Sequence, residues 1–275
     1  MHGKVVVLTG GTSGIGQVAA EKLAGMGARI VLVARDKQRG EAALGRLPGP
    51  AAHSIHYADL SRIAEMKRVA SEIAAAEPRV DVLINNAGAM FGSRQITGDG
   101  LEMTFAVNHV AYFVLTQGLR ERLLASAPAR IVNTSSSAHR RAKLDFNDLQ
   151  SAKGYRGFPV YSRSKLCNVL FTRELARQLE GTGVTANSLH PGFVATRFGD
   201  QSGGLFASYL GFAKVFAISP EKGAETIIYL ASSDAVDKVS GEYFYKSRPV
   251  TATAEARNDA DARRLWTETE KLVEA

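Results

Sequence analysis

The sequence predicts an α/β fold, a doubly wound parallel sheet with helices on both faces, in a single domain. Three observations predict it. Short apolar, β-branched runs alternate with longer helical stretches along the chain. The runs lack the in–out alternation of a half-exposed sheet, as suits parallel strands covered on both faces. No low-complexity linker, internal repeat or composition shift divides the 275 residues, so 1–275 reads as one unit.

Taken in order, Val5–Leu8 is the first strand and Gly14–Met26 the first helix. Ile30–Val33 follows as a strand, with His53–Tyr57 a weaker strand candidate. Arg62–Ala76 reads as a helix, Val82–Ile84 as a strand and Leu101–Leu124 as a long helix. Ile131–Asn133 and Val184–Leu189 are strands on either side of a helix over Tyr161–Glu180. Helical patterns over Glu221–Ala231 and Glu255–Val273 close the chain. Right-handed crossovers join such parallel strands. Two regions exceed an ordinary connection, 138–160 and 197–218. Both are candidate substrate loops over the C-terminal ends of the strands. The second carries Phe198, Leu205, Phe206, Tyr209, Leu210, Phe212 and Phe216. It reads as the lid of an apolar pocket, or as a cover for core or a subunit interface.

Composition removes several function classes. With 45% hydrophobic and 22% charged residues the chain can build an ordinary globular core. The single cysteine, Cys167, excludes an intramolecular disulfide framework and a cysteine-based zinc site, which leaves packing as its role. His139 and His190 lack metal-ligand spacing with suitable partners, so no metal is expected. The excess of 34 Lys+Arg over 27 Asp+Glu is spread along the chain, apart from Arg140, Arg141 and Lys143. It reads as a solvated basic surface or as attraction for anionic cofactors or membrane surfaces, and no nucleic-acid motif accompanies it. No apolar run approaches the ~18 residues that span a bilayer. The opening residues run straight into a strand without a secretory signal, and the expectation is a cytoplasmic protein.

Thr9-Gly10-Gly11-Thr12-Ser13-Gly14-Ile15-Gly16 follows the first strand and opens the first helix. In that setting the pattern is a Rossmann-type dinucleotide fingerprint. Gly10 permits the tight turn, Gly14 lets backbone approach a pyrophosphate, and Gly16 allows close packing. Thr12, Ser13 and Ile15 complete the turn at the helix N-terminus, where free N–H groups and the helix dipole favour an anion. An NAD site usually has a carboxylate at the end of the second strand. Here Ala34-Arg35 stands there, and Arg35 suits a 2′-phosphate, with Asp36 one residue on and a plain surface charge as the alternative. NADP(H) is therefore the preferred cofactor and NAD(H) a possible one. Asp59-Leu60 ends the next strand, where the carboxylate can accept the adenine amino group, cap the following helix, or do both.

Tyr161-Ser-Arg-Ser-Lys165 places a phenol and an ammonium one helical turn apart on one face. A fixed cation favours the phenolate, so the pair suits general acid/base work on a carbonyl or an alcohol.

Together these residues resemble the short-chain dehydrogenase/reductase family, in its branch of single-domain oxidoreductases. The likeness runs through Gly10, Gly14 and Gly16, Asp59, Asn85-Asn86-Ala87-Gly88, Asn108, Asn133-Thr134-Ser135-Ser136, Tyr161/Lys165 and Pro191-Gly192-Phe-Val-Ala-Thr196. The stretch from Tyr161 to Arg177, Gly181-Thr-Gly-Val-Thr, His190-Pro-Gly and the tail from Ala256 to Trp266 are similar to retinol-dehydrogenase-like members. Membrane-bound members of that group carry an N-terminal apolar anchor, which the opening of this sequence lacks. The resemblance implies hydride exchange between NADP(H) and a small apolar carbonyl or alcohol. It makes Ser136 the serine that meets the carbonyl oxygen, with Ser135 and Ser137 as close neighbours. It makes Tyr161 the acid/base and gives Lys165 the tasks of lowering the phenol's pKa and holding the cofactor ribose. Asn108 would place a water linking Lys165 to solvent. Asn86, Ala87 and Gly88 would line the cofactor, Asn85 would brace the sheet, and Val194 and Thr196 would meet the carboxamide after the Pro191-Gly192 turn. It further implies a homodimer or homotetramer built through the helices of Asn108 and Tyr161. A catalytically silent NADP(H)-binding sensor is the alternative function.

Overall fold

In the computed structural model, residues 1–192 and 218–274 are described. Val194, Thr196 and all but the last residue of the 197–218 loop lie outside the described residues. Strand β1 (Val5–Thr9) is buried along its whole length, as its unbroken apolar run requires, and it lies inside the sheet. It pairs in parallel with β2 (Arg29–Ala34) on one side and β4 (Val82–Asn85) on the other. β3 (Ser54–Tyr57) extends the sheet beyond β2. β5 (Ala129–Thr134), β6 (Val184–Leu189) and β7 (Tyr243–Tyr245) extend it beyond β4, all parallel, and β8 (Arg248–Pro249) adds an antiparallel edge. The order 3-2-1-4-5-6-7-8 reverses direction between β1 and β4. Connections diverge there, which opens a crevice at the C-terminal strand ends.

Two cores cover the sheet. On one face, α1 (Gly14–Gly25), α2 (Lys37–Leu44) and α8 (Pro220–Ser232) bury Leu23, Ala43, Ile227 and Leu230 against alternate strand residues such as Val6, Leu8, Ile30 and Leu32. On the other lie α3 (Ile63–Ala76), α4 (Met103–Phe105), α5 (Ala111–Gly118), α6 (Arg120–Ala125), α7 (Gly157–Gln178) and α9 (Asp259–Glu274). Cys167 packs in this second core with Phe113, Phe171 and Trp266.

Several elements depart from the sequence reading for identifiable reasons. The helix over 101–124 is interrupted: a π turn at Ala106–Val110 links α4 to α5, and Leu119 separates α5 from α6. Helix α2 was not anticipated, because it buries only Gly40 and Ala43 and shows no apolar stripe; Asp36 caps it by accepting from Arg39 N at 2.7 Å. α7 begins at Gly157, inside the expected 138–160 connection, whose first part forms a 3-10 turn at Ser137–Arg141. β7 and β8 are too short to leave a sequence pattern. The C-terminal helix starts at Asp259 because Asn258 accepts from Ala260 N and Asp261 N, which ends the preceding turn.

α9 lies across α5 and α7. Trp266 meets Phe113 edge-on at 4.9 Å and stacks on Phe171 at 5.6 Å, and the Nε2 of His109 lies 2.9 Å from the Thr269 hydroxyl. The chain's own C-terminal helix thus covers part of the α5/α7 surface expected to meet another subunit. Among the described residues no helix is long and apolar enough to cross a membrane.

Trp266→Ala removes the largest side chain of this contact and is expected to destabilise the protein by about 3–5 kcal/mol in urea denaturation. His109 is buried in the same contact, and burial holds it at about 3, below the ordinary imidazole value. A base whose folded pKa is lowered binds its proton only on unfolding, so stability is lost as pH falls from about 6.5 toward 3. Unfolding free energies from urea melts should therefore fall more steeply below pH 6.5 for the wild type than for His109→Gln, the difference in slope approaching about 1.4 kcal/mol per pH unit. Equal slopes would show that His109 does not carry this dependence.

Candidate active site

The crevice is built from the ends of six strands. At β1 the chain turns through Gly10, whose φ of +72° favours glycine and where a Cβ would lie 2.9 Å from Ala87 backbone. A Cβ on Gly16 would fall 2.2 Å from the Gly10 carbonyl oxygen. Both positions therefore need glycine if α1 is to start against the loop after β4. Thr12, Ser13, Gly14 and Ile15 are part-exposed at that start. Ser13 makes no side-chain cap bond, and no acidic residue occupies the first turn. The first N–H groups of α1 are thus left for an outside acceptor, and they fit a dinucleotide phosphate.

Asn86 and Ala87 are held in this crevice by a residue the sequence reading passed over. The buried Thr9 hydroxyl accepts from Asn86 N at 2.9 Å and Ala87 N at 3.0 Å. Asn86 returns a bond to Thr9 O at 3.2 Å and accepts from the Thr134 hydroxyl at 3.3 Å. The buried Asn85 donates to Thr116 Oγ1 at 3.1 Å and Asn133 Oδ1 at 2.9 Å, bracing β4 against β5 and α5. The only available signal for Thr9 was its place at a strand end before the glycines.

At the end of β2, Ala34 is buried and Arg35 is exposed, with no hydrogen bond or ion pair among the described residues. The neighbouring Asp36 carboxylate is occupied in capping α2. After β3, Asp59 Oδ1 accepts from both Ser61 N (3.0 Å) and Ser61 Oγ (2.8 Å). It does not cap α3: Ile63 N, the first N–H of that helix, donates to Asp99 Oδ2 at 2.7 Å. Leu60 packs against the core.

The reacting groups meet where α7 crosses the end of β5. Tyr161 and Lys165 fall on one buried face of α7, and the ammonium lies 5.7 Å from the phenol ring centroid. Lys165 Nζ donates to Thr134 O at 3.0 Å. A Cβ on Gly88 would lie 3.2 Å from both Lys165 Nζ and Asn108 Oδ1, which places the ammonium beside the cofactor-side loop. Ser136 is the side chain that opposes the rise of the Tyr161 phenol, so its hydroxyl lies on the phenol's side of the strand end. Ser135 turns the other way and donates to Lys165 O at 2.7 Å, while Ser137 is exposed. Geometry thus selects Ser136 from its two neighbours.

Asn108 sits in the π turn and is fully buried. Its amide donates to Ala89 O and Ser164 Oγ, each at 2.9 Å, and its Oδ1 accepts from Ala89 N at 2.7 Å. Ser164, also unforeseen, passes its proton to Tyr161 O at 2.7 Å. Both amide donors of Asn108 are therefore committed. A water relay at this position has the second lone pair of Oδ1, or main-chain groups, to work with.

Burial sets the protonation states. It raises the Tyr161 phenol to about 12, opposed by the Ser136 hydrogen bond, and lowers the Lys165 ammonium to about 7. Ser136 is the side chain that opposes burial at the phenol, and burial alone moves the ammonium. Beyond β6, Pro191 and Gly192 lead out of the sheet, with Gly192 N donating to His190 Nδ1 at 3.2 Å. No cluster of three His, Cys, Asp or Glu able to hold a metal occurs among the described residues.

Comparison with known proteins agrees with this geometry. Residues 4–203 match the model of the short chain dehydrogenase family. Human retinol dehydrogenase 14 is 41% identical over an alignment of 292 residues, spanning 99% of this chain and 87% of that protein. Among solved structures, an uncharacterised protein from Mycobacterium paratuberculosis superposes with a TM-score of 0.81 at 30% identity, covering 100% of this chain and 94% of its own. A Beutenbergia cavernae protein described as an NAD(P)-dependent gluconate 5-dehydrogenase, solved with NADP bound at low occupancy, gives 0.70 at 29% identity over 90% and 96% of the two chains. The chain belongs to the short-chain dehydrogenase family of oxidoreductases.

Proposed function

We propose that this protein reduces apolar aldehydes or ketones with NADPH, Tyr161 serving as the acid. The observation that carries the reading is the buried pair Tyr161 and Lys165, with the part-exposed Ser136 next to them, beside the loop that faces the glycine turn. The cofactor, when bound, supplies the hydride; this chain's residues bind, orient and move the proton. The α1 N-terminus with Gly10, Thr12, Ser13, Gly14, Ile15 and Gly16 takes the phosphates. Asp59, Leu60, Asn86, Ala87 and Gly88 line the adenine and ribose side. Pro191, Gly192, Val194 and Thr196 complete the nicotinamide end.

Ser136 Oγ donates to the substrate carbonyl oxygen and stabilises the charge that grows there. With its pKa near 12, the Tyr161 phenol is protonated at neutral pH and ready to donate to that oxygen. As the phenolate forms, Lys165 gains a negative neighbour that favours its cation, so the two titrations couple. This protonated resting state favours reduction. The NADP choice rests on Arg35, exposed at the end of β2, while the neighbouring Asp36 carboxylate is used by a helix cap. An apolar substrate is supported by the aromatic residues of 197–218 and by the name of the human relative, since retinol is an apolar alcohol.

The test follows NADPH absorbance against a panel of apolar aldehydes and ketones, including retinal. Tyr161→Phe is expected to bind NADPH normally and to lose about a thousandfold or more in kcat. Unchanged turnover in that variant would exclude Tyr161 as the acid. Arg35→Ala should raise the Kd for NADPH about 10- to 100-fold and leave NADH unaltered. Equal weakening for both cofactors would remove the basis for the NADP preference.

A further inference from the structure

A cluster of rings beside Ser136 does work that the acid/base set does not account for. His139 follows Ser136 by three residues in the 3-10 turn and is fully buried. Its Nδ1 lies 2.7 Å from the Ser136 carbonyl oxygen, which also accepts from His139 N at 3.1 Å. A carbonyl oxygen can only accept, so Nδ1 carries the proton and Nε2 is left as a lone pair. That Nε2 is buried without a hydrogen-bond partner among the described residues. Tyr243 of β7 meets the His139 ring edge-on at 4.8 Å, and its buried hydroxyl likewise has no partner among them. His190 stacks on Tyr243 at 5.7 Å and on Tyr245 at 4.1 Å. It holds the opposite tautomer, since its Nδ1 accepts from Gly192 N and leaves the proton on Nε2. Burial keeps both imidazoles neutral, and the Arg140 charge acts the same way.

We infer that His139, fixed in its Nδ1–H tautomer and packed by Tyr243, is a positioning residue that holds the Ser136 main chain so that the hydroxyl faces Tyr161. The inference rests on the role proposed for Ser136. Ser136 is the extended residue that enters the 3-10 turn, at φ −155° and ψ 153°, and its own Oγ already accepts from Ala138 N at 3.2 Å. Its carbonyl is the handle that fixes the peptide plane. With the imidazole removed, one 3.1 Å backbone bond remains on that oxygen, and the peptide plane loses its shorter, side-chain anchor.

Two measurements test this on the intact 275-residue chain. Long-range N–H correlation spectra of isotope-labelled histidine, assigned with His139→Asn, read the tautomer without any turnover. An Nδ1–H form at His139 is expected, and an Nε2–H form overturns the inference. Kinetics then use NADPH and whichever aldehyde of the panel is reduced. His139→Leu should lower kcat about tenfold or more while KM changes little. His139→Asn, whose amide N–H replaces Nδ1–H, should restore most of that loss, and His139→Gln, which reaches toward Nε2, should not. Circular dichroism and NADPH binding identify any variant that has merely misfolded, and the spectra then decide alone. An Asn variant as slow as Leu overturns the inference. So does a wild-type rate for His139→Leu while Ser136→Ala is inactive. Wild-type turnover by Ser136→Ala instead defeats the reading of Ser136 itself and takes this inference with it.

Discussion

The seam between α7 and the end of β5 is the constraint on which the site depends. Thr134 O, the last carbonyl of β5, accepts from Lys165 Nζ at 3.0 Å and from Asn168 Nδ2 at 3.2 Å. One residue on, Ser135 Oγ donates back to Lys165 O. Strand and helix are thus tied in both directions at one point. Ser136 is set by the strand, whereas Tyr161 and Lys165 are set by the helix. Their mutual geometry is only as good as this tie, because a small misplacement of a reacting group costs much of the rate.

The seam also explains why a lysine can be buried here. An ammonium removed from water needs acceptors, and its charge is costly even with one. Lys165 has the Thr134 carbonyl and lies 5.7 Å from the faces of both Tyr112 and Tyr161. These contacts do not restore its ordinary basicity, as its fall to about 7 records. Such a poised group is a mark of a reactive site rather than of a structural ion pair. Asp81 provides the contrast within the same molecule. It is equally buried, but Lys4, Arg79 and Val5 N surround it, and its carboxylate is held below the ordinary range. There the polar groups satisfy one another and simply tie β1 to β4.

The layers of the fold were legible because each depends on a strong local pattern. Apolar runs mark five of the parallel strands, His53–Tyr57 marks a sixth more weakly, and the glycine turn marks the crevice. Tyr161 and Lys165 were legible because helical periodicity alone puts residues four apart together. What escaped depends on distant partners. Thr9 acts through backbone N–H groups of residues 86 and 87, and Ser164 through the side chain of Asn108. No spacing rule reports such pairs. The π turn is similar: 101–124 has the composition of one helix, and tertiary contacts decide where it bulges. Helix α2 escaped for the opposite reason, since it depends on one cap and little burial. The choice of Ser136 over Ser135 also needed structure, because adjacent strand residues face opposite ways and sequence does not say which faces the crevice.

The π turn ties the fold's periphery to its chemistry. A continuous α-helix over 103–118 would pair every backbone group within itself and set Asn108 and His109 by the ordinary helical repeat. Widening one turn shifts that repeat, and single π turns gather at functional sites for this reason. Here the shifted segment turns Asn108 toward Ala89 and Ser164, on the cofactor side, and His109 toward Thr269 of α9. Adjacent residues therefore serve the crevice and the C-terminal helix. The ring of His109 also packs 5.2 Å from Phe105 and 5.9 Å from Phe171, so the turn is clamped by aromatic contact from its own helix and from α7. Docking of α9 supplies the last wall of that clamp through Trp266 on Phe171. The packing that holds the C-terminal helix in place is thereby part of what keeps Asn108 aimed at the loop around Gly88, and through Phe171 it also bears on α7, which carries Tyr161 and Lys165.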